Sequence, residues 1–251
     1  MDDQAAHLAS ILVQRLRSTS PTSRIIVGLS GVPASGKSTL AQIIVDRVNE
    51  TFRADSSVET VDGETKHNNV AVLIGLDGWH MTRAQLDAFP DPRLAHDRRG
   101  AHWTFDGESY VHFMRALRHP LRTADTSSEE ADVVYAPSFD HAIKDPTPRA
   151  VPVHPYHRLV LIEGLYTFLG IPPWREAAEM LDERWWLDVG EAEAEERLVA
   201  RHVRSGIAKD LDEAKWRSRE NDAPNGQFIR ENMLKPTRVI KSLTDLTLIT
   251  S

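Results

Sequence analysis

The chain has 251 residues, 41% of them hydrophobic, enough for one large α/β domain whose core needs no covalent staples. It contains no cysteine, which excludes disulfides, thiolate nucleophiles and Cys-ligated metal centres. A formal net charge of −7 argues against a broad nucleic-acid-binding surface, and no apolar run is long enough for a membrane span.

Apolar side chains at Leu8, Ile11, Leu12 and Leu16 predict a helix over 5–17. Arg24 to Leu29 is short, continuous and β-branched, the pattern of a strand buried on both faces. Residues 31–38 read as a loop and 39–48 as a second helix. Ala54 to Asn69 is polar and poor in apolar anchors, and reads as an exposed insertion. Val70 to Ile74 is a second buried strand, ending in Gly75-Leu76-Asp77-Gly78. Pro90 to Trp103, rich in Arg, Asp, His and Pro, reads as an ordered functional loop. A helix over 109–118 and a polar connector over 123–132 follow. Arg158 to Glu163 and Arg184 to Val189 are further buried strands. The pattern then predicts charged helices over 191–204 and 211–220 and a last strand over 246–249. Strands alternating with helices predict a parallel sheet covered on both faces. The acidic start, Met1-Asp2-Asp3-Gln4, lacks the order of a signal peptide. With no cysteine to protect, a cytoplasmic location is the expectation.

The segment Gly31-Val32-Pro33-Ala34-Ser35-Gly36-Lys37-Ser38 fits G-x-x-x-x-G-K-[ST] at every fixed position. Its chemistry explains its spacing. Glycines let the backbone curl so that successive N–H groups form an anion nest, and the following helix adds its free N–H groups and positive dipole end. Lys37 supplies a point charge for the β- and γ-phosphates, and the Ser38 hydroxyl suits Mg²⁺. A random chain of this length would show the pattern about one time in a hundred. Here it also lies between a buried strand and a helix, the context the motif demands.

Among P-loop proteins, a guanine-reading Asn-Lys-x-Asp motif is absent. Two strands end in single acids followed by glycine, Asp77-Gly78 and Glu163-Gly164. A kinase has use for such acids, one to accept the proton of an attacking hydroxyl and one to hold Mg²⁺ or its water. Asp77 at a strand's carboxyl end stands where ligands bind in open α/β sheets, although a helix N-cap would also place an Asp there. Glu163 follows Leu-Val-Leu-Ile, where an unpaired carboxylate would be costly, so a metal or basic partner is expected.

From Arg24 to Ile249 the chain resembles the uridine kinase, phosphoribulokinase and type I pantothenate kinase group, closest to its little-characterised fungal and bacterial branch. Besides the P-loop, the resemblance rests on Asp77-Gly78-Trp79-His80, Arg99-Gly100-Ala101 to Phe105-Asp106, Pro137-Ser138-Phe139-Asp140-His141, Ile162-Glu163-Gly164, Arg197 to Arg204, and Arg219 to Gly226. It implies a five-stranded parallel P-loop fold with a helical lid near 197–220 and an acceptor-binding region near 78–157. It also implies binding of ATP and Mg²⁺ and transfer to a small-molecule hydroxyl acceptor such as a nucleoside, sugar or pantothenate-like alcohol. By the same resemblance Asp77 is the general base or orients the acceptor, and His80, Arg99, Asp106, Phe139, Asp140 and His141 line its pocket. Phe139 replaces the family's usual Tyr and so removes one hydroxyl from that pocket. Glu163 and Ser38 are the acids and hydroxyls expected near the metal. Thr39 joins the P-loop in binding nucleotide, and Arg197, Arg201 and Arg204 steady the triphosphate, with Arg201 assigned to catalysis. Relatives that dimerise make a homodimer an expectation, although no seam is visible in the sequence.

Simpler explanations stand beside these. The three arginines pair equally well with Glu193 and nearby acids as i,i+4 bridges on a solvated helix. Arg98 and Arg99 beside Asp97 would stabilise a loop, and Trp79 and Trp103 are the kind of residue that more often fills a core. An ATPase or regulatory switch without an acceptor is the main rival function, and a nucleic-acid-processing P-loop protein the second.

Overall fold

The computed structural model describes residues 1–55, 60–61, 64–65, 69–121, 132–140, 143–204, 206 and 208–242. The first half runs α1 (Asp2–Ser18), β1 (Ile25–Ser30), α2 (Lys37–Asp55), a short hairpin of β2 (Thr60–Val61) and β3 (Glu64–Thr65), and β4 (Ala71–Gly75). Then come α3 (Arg83–Asp87), α4 (Pro92–Asp97) and α5 (Gly107–Leu117). A hairpin of β5 (Val134–Asp140) and β6 (Asp145–Val153) leads to β7 (Leu159–Glu163), α6 (Trp174–Glu179) and β8 (Glu183–Asp188). The chain continues through α7 (Glu191–Arg204), α8 (Leu211–Arg217), α9 (Ala223–Asn232) and β9 (Arg238–Lys241).

Five strands form one parallel sheet in the order β4-β7-β1-β8-β9. Its side chains alternate between two cores, as the period of two in a strand requires. Ile25, Val27, Leu29, Leu159, Leu161, Trp185 and Leu187 pack toward α1 and α2. Ile26, Val160, Ile162 and Trp186 face the other way, into a cluster with Tyr110, Trp174 and Ile229 from α5, α6 and α9. Burial on both faces is why these strands read as unbroken apolar runs.

The fifth strand is Arg238–Lys241, which the sequence reading did not find; the strand expected over 246–249 lies outside the described residues. With only Ile240 buried, β9 carries almost no apolar signal. The expected insertion at 54–69 and the connector at 123–132 fall largely outside the described residues. The expected helix over 211–220 ends at Arg217, where Ser218–Asp222 forms a single π-helical turn before α9. The β5–β6 hairpin was also missed, because Pro137, Pro146, Pro148 and Pro152 interrupt its strand pattern. A two-stranded ribbon has free edges on which proline removes no ladder bond.

Candidate active site

Adjacent strand ends bring the predicted acids to one edge of the sheet. Glu163 is in register with Leu29 on one side and Gly75 on the other. The P-loop leaves the first neighbour and a 3₁₀ turn, Leu76–Trp79, leaves the second. Asp77 lies inside that turn, whose N-cap is Gly75, so it does not serve as a helix cap.

The glycine after each acid has a packing reason. Gly164 sits at φ 159, and a Cβ there would collide with the Cβ of Leu76 and come within 3.1 Å of its Cδ2. At Gly78 a Cβ would collide with the Pro137 carbonyl group of β5. The two glycines therefore let the Asp77 turn sit flush against the Glu163 turn on one side and the β5–β6 hairpin on the other. Gly164→Ala is expected to destabilise the fold by about 1–3 kcal/mol through this crowding, read as a lowered denaturation midpoint with an unchanged slope.

The P-loop turns through left-handed backbone at Ala34 (φ 60) and Gly36 (φ 91), and α2 begins at Lys37. Ser38 and Thr39, in its first turn, are exposed. Lys37 is the focus of the site's charges. Burial pushes its ammonium pKa down, opposed in order by the carboxylates of Glu163 and Asp77, while Arg201 lowers it further and Asp222 raises it. The charges of Asp77, Glu163 and Arg201, drawn from separate sequence motifs, thus act on Lys37, and the π-turn adds Asp222. Burial lifts the Asp222 carboxyl to about 6, against the pull of Arg201, Lys37 and Arg217. The sequence reading assigned Asp222 no role, although it lies within the quoted 219–226 motif.

The lid arginines separate by environment. On α7, Ala194, Leu198 and His202 are buried at intervals of four, and Arg197, Arg201 and Arg204 run beside that stripe. Arg197 forms the i,i+4 bridge with Glu193 and also donates to Ser242 Oγ at 2.9 Å, which itself donates to the Ser35 carbonyl at 2.8 Å. Arg197 is thereby connected to the P-loop through one hydroxyl. Arg201 is exposed, and its charge acts on Lys37 and Asp222. Arg204 is exposed at the helix end.

Of the expected acceptor residues, His80, Arg99, Asp106 and Phe139 contact the Asp77 turn, the residues just after it, or one another. His80 Nδ1 lies 2.8 Å from the Asp77 carbonyl, and since a carbonyl only accepts, that nitrogen carries the proton. The His80 ring packs 3.9 Å from Phe105 and 4.8 Å from Phe139, with the Arg99 guanidinium 5.5 Å from the Phe139 ring. Arg99 donates to the Lys144 and Met81 carbonyls at 2.6 and 2.7 Å and to Asp145 at 3.2 Å, so it clamps the hairpin to the turn after His80. Arg98 donates to the Glu220 carbonyl at 2.7 Å. Asp106 accepts from Ser109 N at 3.0 Å and Ser109 Oγ at 2.6 Å as the N-cap of α5, while its own N–H holds the Trp79 carbonyl at 2.8 Å. Asp140 is exposed at the end of β5, and His141 lies outside the described residues. Trp79 is a core residue, 5.1 Å from Tyr110 and 5.0 Å from Phe113.

A cavity of about 580 Å³ opens beside the P-loop tip, between Val32 and Pro33 below, α7 on one side, and the π-turn with α9 on the other. Asp222 is part of its wall. Among the described residues no cluster of three His, Asp or Glu side chains could hold a metal by itself. Among the described residues no helix is long and apolar enough to cross a membrane.

No protein-family model matches the chain. It is 35% identical over 228 residues to a Schizosaccharomyces pombe protein named "Putative uridine kinase C227.14", covering 91% of this chain and 87% of that protein. It is 45% identical over 159 residues to the Aspergillus versicolor "ATP-dependent kinase-like protein notR'", covering 63% of this chain and 89% of that one. Among solved structures, a "putative fructose transport system kinase" from Silicibacter sp. TM1040 matches with a TM-score of 0.73 at 30% identity. That match covers 94% of this chain and 98% of the other.

Proposed function

Because the chain belongs to the uridine kinase- and phosphoribulokinase-like family of P-loop kinases, we propose that it transfers the γ-phosphoryl group of ATP to a hydroxyl of a small molecule. The observation that carries this reading is the meeting of charges at Lys37. The charges of Asp77, Glu163, Arg201 and Asp222 act on it from four separate elements.

In this reading the P-loop amides and Lys37 hold the triphosphate, and Ser38 and Glu163 hold Mg²⁺. When bound, that ion neutralises charge on the phosphate oxygens. Asp77 takes or orients the proton of the acceptor hydroxyl. The acceptor oxygen then bonds to the γ-phosphorus, the bond to the bridging oxygen of ADP breaks, and the proton passes to Asp77. Lys37 and Arg201 spread the charge that develops on the moving group. Arg197 steadies the nucleotide through its connection to Ser35, and Arg204 meets solvent until the lid near 197–220 closes. His80, Phe139 and Arg99 shape the acceptor side of the site, within the region near 78–157, joined there by Asp106, Asp140 and His141. The Asp77 turn joins the two halves, since its carboxylate faces Lys37 and its carbonyl holds His80.

The test is ADP release from ATP and Mg²⁺, with and without a panel of nucleosides, sugars, pantothenate and vitamin alcohols. One compound is expected to stimulate release and to appear as its phosphorylated form by mass. Hydrolysis that no compound accelerates would turn the assignment toward an ATPase or switch.

A further inference from the structure

Ser35 is the residue on which the shape of the phosphate loop turns. Left-handed backbone lies on both sides of it, at Ala34 (φ 60) and Gly36 (φ 91). Glycine adopts that conformation freely, whereas an alanine does so only where its surroundings hold it. Ser35 is held at three points. Its N–H donates to the Val32 carbonyl at 3.1 Å, inside the loop. Its side chain is fully buried against Gly31, where a Cβ would collide with Ser35 Oγ and with the Leu187 carbonyl. Its carbonyl accepts from Ser242 Oγ at 2.8 Å, a contact spanning 207 residues of sequence.

The third hold also sets the direction of an N–H. A trans peptide unit is planar, so the Ser35 carbonyl and the Gly36 N–H point in opposite directions. A donor that keeps the carbonyl turned toward the end of β9 keeps the Gly36 N–H turned away from it. Ser242 is well placed to be that donor. It follows β9, and its own N–H donates to the Asp188 carbonyl at 2.6 Å, extending the ladder to β8 by one residue. Its hydroxyl accepts from Arg197 Nη1 at 2.9 Å. A guanidinium only donates and a carbonyl only accepts, so the direction of the hydroxyl proton is decided from both sides. A cation donating to the oxygen also makes that proton a stronger donor. Arg197 is itself set by its bridge to Glu193, one turn earlier on α7. Three elements, α7, the end of β9 and the phosphate loop, thus meet at one hydroxyl.

We propose that Ser242 is a positioning residue of the nucleotide site and that Arg197 acts through it: together they fix the Ser35 peptide so that the Gly36 N–H is aimed at the β-phosphate. Arg197 then supports the loop from behind rather than touching the nucleotide. The inference rests on the kinase reading above in one respect, that nucleotide phosphates occupy the loop.

The experiment is calorimetric titration, with no acceptor present, using the magnesium complexes of ADP and of the non-hydrolysable ATP analogue AMPPNP. It compares wild type, Ser242→Ala, Ser242→Thr, Arg197→Met and the Ser242→Ala/Arg197→Met double variant, each well below its own melting temperature. Ser242→Ala is expected to weaken both nucleotides about fivefold, the effect of one lost hydrogen bond, because both carry a β-phosphate. Ser242→Thr keeps the hydroxyl and is expected to bind within about twofold of wild type. Arg197→Met removes the orienting cation and should weaken both nucleotides about two- to fivefold, so it carries the test if Ser242→Ala does not fold. The double variant should bind no more weakly than Ser242→Ala, the mark of two residues acting in series. Wild-type affinity in Ser242→Ala would overturn the proposal, as would failure of Ser242→Thr to restore binding. So would a double variant whose loss is the product of the single losses, or an Arg197→Met loss confined to AMPPNP, which would put that arginine on the γ-phosphate. Wild type that binds neither nucleotide would overturn the P-loop reading itself and the proposal with it, an outcome distinct from failure of the Ser242 role alone.

Discussion

Lys37→Ala is expected to reduce ATP turnover to background, a loss of about 10³-fold or more. Its ammonium is the cation around which three carboxylates, Glu163, Asp77 and Asp222, are arranged. Without it the loop keeps its backbone amides but faces the triphosphate beside uncompensated acids. Nucleotide binding and transfer should both suffer, and ADP release measures the sum. Thermal melting of the variant, read beside its turnover, separates loss of function from loss of fold. Normal turnover would remove the basis for placing the γ-phosphate at this loop.

The second large effect falls on Asp77. Asp77→Asn is expected to leave nucleotide affinity within a few-fold of wild type while cutting acceptor-stimulated ADP release by about 10²–10⁴-fold. The amide preserves the size of the side chain, and the backbone carbonyl that receives His80 is untouched, so the turn should keep its shape. Only the capacity to take a proton is lost. The ratio of the two effects is the informative quantity. If nucleotide binding collapses together with turnover, Asp77 holds the metal or the turn rather than the acceptor's proton.

What the sequence revealed follows from where each segment is buried. The strands β1, β4, β7 and β8 were legible because a strand covered on both faces must be continuously apolar. The phosphate loop was legible because its chemistry demands fixed residues at fixed spacing. Strand β9 escaped because one buried side chain, Ile240, leaves no periodicity to detect. The β5–β6 hairpin escaped because its prolines argue against strands unless the ribbon is known to have free edges. At the site, Asp77 and Glu163 were found because each interrupts an apolar run. Asp222 lies in a polar stretch, and nothing in its neighbourhood marks a π-turn that carries it back over the P-loop. The arginines carried a mixed message. Arg197 makes both the helical ion pair that a surface explanation predicts and the link to Ser242 that only the fold could reveal. Arg98 and Arg99 donate to backbone carbonyls of segments distant in sequence, contacts that no spacing in the sequence reveals.

The sheet order has an evolutionary consequence. β8 and β9 are neighbours paired in parallel, and everything from Glu191 to Asp222 is an excursion between them. The outer part of that excursion has a small core of its own, Val199, Ala208 and Ala214, whereas α9 is anchored through Ile229 in the main core. A lineage could lengthen, shorten or replace the segment before α9 while every strand register stayed as it is, since longer surface connections carry only a modest entropic cost. The P-loop, Asp77 and Glu163 are locked to the sheet, and the segment that carries Arg201 toward them is the part free to change in length. Chains of this architecture can therefore keep the same loop and acids while differing in what covers them.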